Sequence, residues 1–375
     1  MTGAGISFSV EPLDVLGALE ADWKALQRGK MSSPPFGFFE LQAVRAELLK
    51  SDRRKDVRLL LGRDGSKLVA AALLGVRSHP VFGRLGLLSE TGDPALDTVY
   101  TEYNDLMGVA DQPDLCHAAL KALFADDDLS LDGISLTRVG PEVAAAFSDA
   151  GVQLGLRMTQ TRRQAAFAAD LTAAATLDNL VGALGKSTKS RVRRSIRLYE
   201  EGGQLRLIEA ETPVARAQAF DALLTLHRQQ WAEREVASSF LAPTMQTFHR
   251  ALIERASEET ALVSFMQGST RLGVLYYLTA GNQVFYYQSG FAAAPDNQHL
   301  PGYTAHLLAM VHFASKGYRR YNLMSEHGEY KARIAKIEEP LISLTLDRPN
   351  WRTALRRGER SLRRHVKSKM GRVSS

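Results

Sequence analysis

Two distant segments of this chain have the same outline. VRLLLGRDGSKLVAAALLGVR (Val57 to Arg77) reads as strand, two-residue turn, strand, with Asp64-Gly65 at the turn. An Asp-Gly pair between apolar runs is a strong hairpin signal. ALVSFMQGSTRLGVLYYLTAG (Ala261 to Gly281) repeats the shape with Gly268-Ser269 at its turn, and Lys67 and Arg271 take equivalent places 204 residues apart. After each hairpin comes another strand-like run, EYNDLMGV or NQVFYYQSGF, and then a helix, CHAALKALFADD or YTAHLLAMVHFASKGY. A short strand follows each helix, GISLTRV or RRYNLMS. A unit met twice at a fixed interval marks an internal repeat, and alternating strand and helix patterns mark an α/β fold.

The expectation is therefore two tandem α/β units, each a mixed sheet flanked by helices. At 375 residues the chain is also too long for one ordinary core. The boundaries expected are 1–160, 161–347 and a basic helical tail at 348–375. AAFAADLTAAATLDNL reads as a strand entering the second unit. Between the repeats lie a basic helix from Lys186 that ends at Gly202-Gly203, and two longer helical stretches, PVARAQAFDALLTLHRQQWAERE and APTMQTFHRALIERASE.

The net charge of +6 is a property of the tail. Residues 348–375 hold ten Lys or Arg and one acid, Glu359, which leaves the rest of the chain at −3. In the tail, Trp351, Leu355, Leu362 and Val366 form a narrow apolar stripe in a field of cations, a pattern suited to an anionic membrane surface. A cyclic dinucleotide is the alternative ligand for the tail. Nucleic acid is not expected, because the body is mildly acidic and carries no nucleic-acid motif. The first thirty residues place Glu11, Asp14, Glu20 and Asp22 where a secretory signal needs an apolar centre. With one cysteine, Cys116, no disulfide framework can form. A cytoplasmic protein, peripheral at the inner membrane face if the tail docks there, is the expectation, with Cys116 a structural thiol.

Chemistry concentrates in the second unit. YYQSGF (Tyr286 to Phe291) is an aromatic strand, and Pro301-Gly302 opens a helix. A helix start offers unpaired N–H groups and the positive end of its dipole, which together hold phosphate. Proline is tolerated there, and glycine lets a ligand approach the backbone. A thioester could lie along the strand with its carbonyl polarised by an N–H group. An attacking amine must lose a proton, and Glu326, His327 and Glu329 cluster after a strand as candidate bases. Tyr330 is placed to protonate a leaving thiolate, and Lys331 to bind a phosphate or carboxylate. His227 and Trp231 share a helix face four residues apart. His306 and His312 read as structural residues of the helix after Gly302. No His, Cys, Asp and Glu cluster has metal spacing, so no metal is expected.

These residues, in this order, resemble the GNAT acyltransferase superfamily, and within it the CelD/BcsL-like branch, relatives of the FemAB transferases that carry two GNAT-like units in tandem. The matching elements are the Tyr286–Phe291 strand, Pro301-Gly302, the strand YNLMS (Tyr321 to Ser325), Glu329-Tyr330-Lys331, and His227 with Trp231. The first half matches through YNDLM (Tyr103 to Met107). Ala292 and Asn322 stand where the branch usually has acids, and the usual pyrophosphate loop is not cleanly present. The resemblance implies an acyl-CoA-dependent N-acyltransferase, with acyl-CoA as a co-substrate and no bound cofactor. The acceptor would be an amine of a cell-envelope precursor, an amino sugar or a sphingoid base. Glu326, His327 and Tyr330 would be catalytic. Gln288, Ser289, Pro301, Gly302 and Tyr303 would bind the donor, and His227, Trp231, Tyr287 and Lys331 the acceptor. The alternatives are a Fem-like transferase using aminoacyl-tRNA, and a non-catalytic GNAT-shaped effector. The basic helix from Lys186 suits a phosphorylated acceptor or the CoA phosphates.

Overall fold

The computed structural model describes residues 5–29, 34–99, 101–109, 112–172, 176–232, 238–325 and 329–359. The α/β expectation holds, and both repeats share one sheet. Its strands are β1 (Ser7–Pro12), β2 (Val57–Asp64), β3 (Lys67–His79), β4 (Gly83–Leu88), β5 (Gly133–Val139), β6 (Arg157–Asp170), β7 (Leu205–Glu209), β8 (Thr260–Gln267), β9 (Thr270–Ala280), β10 (Gln283–Phe291), β11 (Arg320–Met324) and β12 (Ile337–Asp347). They run in the order β1-β2-β3-β4-β5-β12-β6-β11-β10-β9-β8-β7. The order is a palindrome of the repeat: β1 to β5 approach the centre from one edge and β7 to β11 from the other.

At the centre the last strand of each repeat is exchanged. β6 follows the first repeat in the chain but pairs antiparallel with β11 of the second. β12 ends the second repeat but pairs antiparallel with β5 of the first. β6 and β12 also pair with each other from Ile337↔Ala168 to Asp347↔Arg157. The halves are thus joined by continuous backbone hydrogen bonding.

The hairpins correct the repeat interval by one. Asp64 pairs with Lys67, so the turn is Gly65-Ser66, and Gln267 pairs with Thr270 around Gly268-Ser269. Gly65 (φ +58°) and Gly268 (φ +55°) take the first turn position, which is the type II′ requirement for glycine. The true offset is therefore 203, and Thr270, not Arg271, is the counterpart of Lys67. Each hairpin also bulges at the matching residue, Val69 and Leu272. EYNDLMGV is not the strand expected. Tyr103 (φ +54°) and Gly108 (φ +99°) break its pleat, and it makes only isolated bridges, Asn104↔Thr137 and Ala71↔Met107. β4 takes that position instead.

Helices α1 (Glu20–Arg28), α2 (Phe39–Leu48), α3 (Leu115–Ala125) and α4 (Pro141–Gln153) belong to the first repeat. The second has α5 (Leu177–Gly182), α6 (Lys186–Glu201), α7 (Pro213–Trp231), α8 (Pro243–Arg255), α9 (Pro301–Ser315) and α10 (Glu329–Ile334). α1, α2, α7 and α8 share one core, through Trp23, Val44, Phe220 and Phe248. Arg255 of α8 also pairs bidentately with Glu47 of α2, both bonds 2.6 Å. α3 and α4 pack on the other face of the first half, and α5, α6 and α9 on the other face of the second. Cys116, on α3, is fully buried, and burial pushes its thiol pKa up to about 12, which leaves it inert.

The tail begins as a helix at 351–359. Its Arg356 donates to Asp347 at 2.6 Å, both side chains buried, and so fixes the helix to the end of β12. Trp351 and Leu355, half of the apolar stripe, face outward at 62% and 49% exposure. Leu362 and Val366 lie outside the described residues. No described helix is long and apolar enough to cross a membrane.

Candidate active site

β10 and β11 pair in parallel only from Gln283↔Arg320 to Phe285↔Asn322. Beyond that point β10 stays with β9 to Phe291 and bulges at Tyr287, while β11 stays with β6. The gap between them opens into a cavity of about 480 Å³, lined by β10, the start of α9, the end of α7 and Tyr330.

The SGF segment of β10 explains why the wall has this shape. The Ser289 hydroxyl is 2.6 Å from the Tyr286 hydroxyl. The Ser289 carbonyl accepts from His227 Nδ1 at 3.0 Å, so Nδ1 carries the proton, and Nε2 accepts from the Ser238 hydroxyl at 2.8 Å. At Gly290 a Cβ would lie 2.7 Å from the His227 nitrogen and 2.8 Å from the Leu223 carbonyl. The strand and α7 meet backbone to backbone, which only glycine allows.

The start of α9 is held from behind. The Leu300 N–H donates to Ser195 Oγ of α6 at 2.8 Å, and the same hydroxyl lies 3.1 Å from Thr304 Oγ1. No side chain caps the helix. Pro301 has no N–H, so the amides of Gly302 and Tyr303 are left for a ligand. A Cβ on Gly302 would meet nothing within 4 Å. α6 carries exposed Lys186, Arg191, Arg193 and Arg194. Of its cations, only Arg197 meets an acid among the described residues, Glu201 at 3.9 Å.

Beneath the cavity runs a polar chain in an otherwise apolar core. Tyr277 and Tyr321 hydroxyls are 2.8 Å apart, and the Tyr321 hydroxyl is 2.7 Å from His306 Nδ1. Burial drives both phenols well above their ordinary pKa, so they keep their protons. Burial, with a smaller contribution from the Lys331 charge, lowers the His306 pKa to about 3, so the imidazole is neutral. Three donors share two bonds, so either direction leaves one donor over: with Tyr277 donating to Tyr321 and Tyr321 to Nδ1, it is the His306 Nε2–H at the cavity wall. The reverse direction strands the hydroxyl proton of fully buried Tyr277 at a cost of about 1–3 kcal/mol. The imidazole proton therefore sits on Nε2.

Residues 186–332 match the model of the acetyltransferase (GNAT) domain. Solved structures similar in fold span nearly the whole chain. FemX aligns with TM-score 0.59 at 9% identity, over 87% of this chain and 95% of that one. The C-terminal domain of a putative lysylphosphatidylglycerol synthetase from Agrobacterium fabrum aligns at 0.55 and 14%, over 89% and 92%. L-PGS from Bacillus licheniformis aligns at 0.54 and 13%, over 89% and 96%. No curated protein matches the chain in sequence.

Within the matched segment, the cavity gathers eight residues singled out from sequence: His227, Trp231, Gln288, Ser289, Pro301, Gly302, Tyr303 and Tyr330. Two others lie off it. Tyr287, the bulge residue, turns to the opposite face, where its ring packs 4.7 Å from that of His249 and 5.4 Å from that of Tyr276. Lys331, on the buried face of α10, is 4% exposed and does not line the cavity. Glu326 and His327 lie outside the described residues.

Two residues of the site carry no sequence signal. His306 lines the cavity, although its place on α9 gives it the look of a packing residue. Glu102 comes from the first repeat. Fully buried, its Oε1 accepts from the Ser325 N–H at 2.8 Å and from the Ser325 hydroxyl. It thereby fixes the end of β11, where Met324 is held at φ +60°.

Proposed function

We propose that this chain is an acyl-CoA-dependent N-acyltransferase that forms an amide on an amine of a cell-envelope precursor. The observation that carries this reading is the parting of β10 from β11 directly below an uncapped helix start. The amides of Gly302 and Tyr303 would hold the pyrophosphate, with the α6 cations taking further phosphate charge. The thioester would lie along Gln288 and Ser289, and the acceptor would enter past His227 and Trp231. The amine attacks the thioester carbon directly, the C–N bond forms, and the C–S bond breaks as the thiolate leaves. Glu326 or His327 would take the proton lost by nitrogen, and Tyr330 would supply one to the sulfur.

Two acceptor classes fit, an amino sugar and a sphingoid long-chain base. The outward Trp351 and Leu355, set among arginines, favour an acceptor at a membrane surface. Purified protein incubated with acetyl-CoA or a long-chain acyl-CoA, each with glucosamine or a sphingoid base, tests the reading through release of free CoA thiol. Release with one pairing names the acceptor, and release with none rejects the reading.

A second reading keeps the site and changes the donor to aminoacyl-tRNA. The row of exposed α6 cations favours it, because such a surface suits a polyphosphate backbone. Recovery of tRNA bound to the purified protein, released by high salt, would support it.

A further inference from the structure

We propose that His306 Nε2–H is the hydrogen-bond donor that holds the acyl carbonyl and takes the charge of the oxyanion formed when the amine attacks. The proposal rests on the acyl-CoA reading above and adds a residue to it. Three observations converge on it. The His306 ring lines the cavity although the residue is only 1% exposed. Its Nδ1 is turned inward to the Tyr321 hydroxyl at 2.7 Å, which leaves Nε2 for the cavity, and no described residue hydrogen-bonds that nitrogen. The Tyr277–Tyr321 chain fixes the ring proton on Nε2, by the count of buried protons given above.

The surroundings hold the ring still without competing for its proton. Tyr286 meets it edge-on at 4.5 Å, and the Tyr286 hydroxyl is already engaged by Ser289 at 2.6 Å. Tyr330 stacks over it at 5.9 Å, and Tyr303 meets Tyr330 at 6.2 Å. Among the described residues, the charged or titratable groups around the ring are Tyr286 from β10, Tyr321 from β11, Tyr303 on α9, and Tyr330 and Lys331 from α10. Burial, reinforced by Lys331, keeps the imidazole neutral with a pKa of about 3.

A neutral imidazole whose outward nitrogen bears the proton has no lone pair there, so it cannot be the base. It is a fixed dipole on the cavity wall, and a preorganised N–H donor is what a developing oxyanion requires. As the amine adds, the carbonyl π pair moves to oxygen and is received by Nε2–H. As the oxyanion collapses, the C=O bond reforms and the C–S pair leaves with sulfur. The proton lost by nitrogen is matched by the one gained by the thiolate. His306 begins and ends with its own proton.

Binding of two probes tests this without a known acceptor: acetyl-CoA, and S-ethyl-CoA, which has CH₂ where acetyl-CoA has C=O. Wild type should prefer acetyl-CoA by about tenfold, the worth of one buried hydrogen bond. His306→Phe should lose the preference while binding S-ethyl-CoA as wild type does. His306→Gln, which keeps an N–H donor, should recover part of it. ¹⁵N NMR of the wild-type imidazole should show Nε2 protonated, and Tyr321→Phe should release that lock. Equal preference in wild type and His306→Phe, or a proton on Nδ1 in wild type, overturns the proposal and leaves the acyl-CoA reading standing. If wild type binds neither probe, the acyl-CoA reading falls and takes the proposal with it.

Discussion

Gly290 lies so close beneath α7 that a Cβ there would come within 2.7 Å of the backbone nitrogen of His227. The neighbouring Ser289 carbonyl takes the His227 ring proton at 3.0 Å. One residue pair thus docks the helix on the strand and sets one wall of the cavity. Gly290→Ala should destabilise the protein by about 1–3 kcal/mol, because the atoms in the way are largely backbone and cannot rotate aside. Gly302→Ala meets nothing within 4 Å, so it should fold as wild type and yet bind CoA more weakly. Urea unfolding with CoA titration separates the two.

Ser195 links the basic helix to the start of α9 by bonding Leu300 N–H and Thr304. Ser195→Ala leaves a half-buried amide without its acceptor and should cost about 1 kcal/mol. If the bond also positions the donor-binding amides, CoA affinity should fall in the same variant, as calorimetry would record.

Glu102 belongs to the first repeat, but its contacts are with Ser325 in the second. Glu102→Ala should lower turnover by at least tenfold in any acyl-transfer assay that the wild type passes, by freeing the end of β11. A first half that only stabilises the fold would give a variant that loses stability but keeps its turnover per folded molecule.

Two buried histidines make stability depend on pH. His249, in the aromatic cluster beside Tyr287, and His306 are both lowered by burial to about 3. Between about pH 3 and 6.5 the unfolded chain protonates these imidazoles and the folded chain does not, so stability falls as pH drops through that window. The slope is up to about 1.4 kcal/mol per pH unit for each group. His249→Phe removes one of them and should show a smaller loss of stability between pH 7 and pH 5 than wild type in urea unfolding.

The duplicated hairpins were legible because their signal is local: two apolar runs, a glycine turn, and the same punctuation twice. The first turn is ambiguous by one residue in the sequence, since Asp64-Gly65 and Gly65-Ser66 are both plausible and only the strand pairing decides. The exchange of β6 and β12 leaves no trace in either strand, because pairing partners more than 150 residues apart impose no pattern on their own sequence. Of the two tyrosines on β10, alternation shows that they part, and the pairing shows that Tyr286 takes the cavity side. His306 reads as a structural residue in the sequence for a similar reason. Its meaning comes from Tyr277 and Tyr321, on two other strands, and from a gap that exists only once β10 and β11 separate. Glu102 is legible only when the two halves are brought together.

The central claim is that a CoA thioester lies between β10 and the start of α9. Hydrogen–deuterium exchange with and without acetyl-CoA tests it most directly. Protection should appear at the amides of Ser289 to Phe291 and of Gly302 to Thr304. Binding of acetyl-CoA with protection confined to other segments, or no protection at saturating acetyl-CoA, would contradict the account.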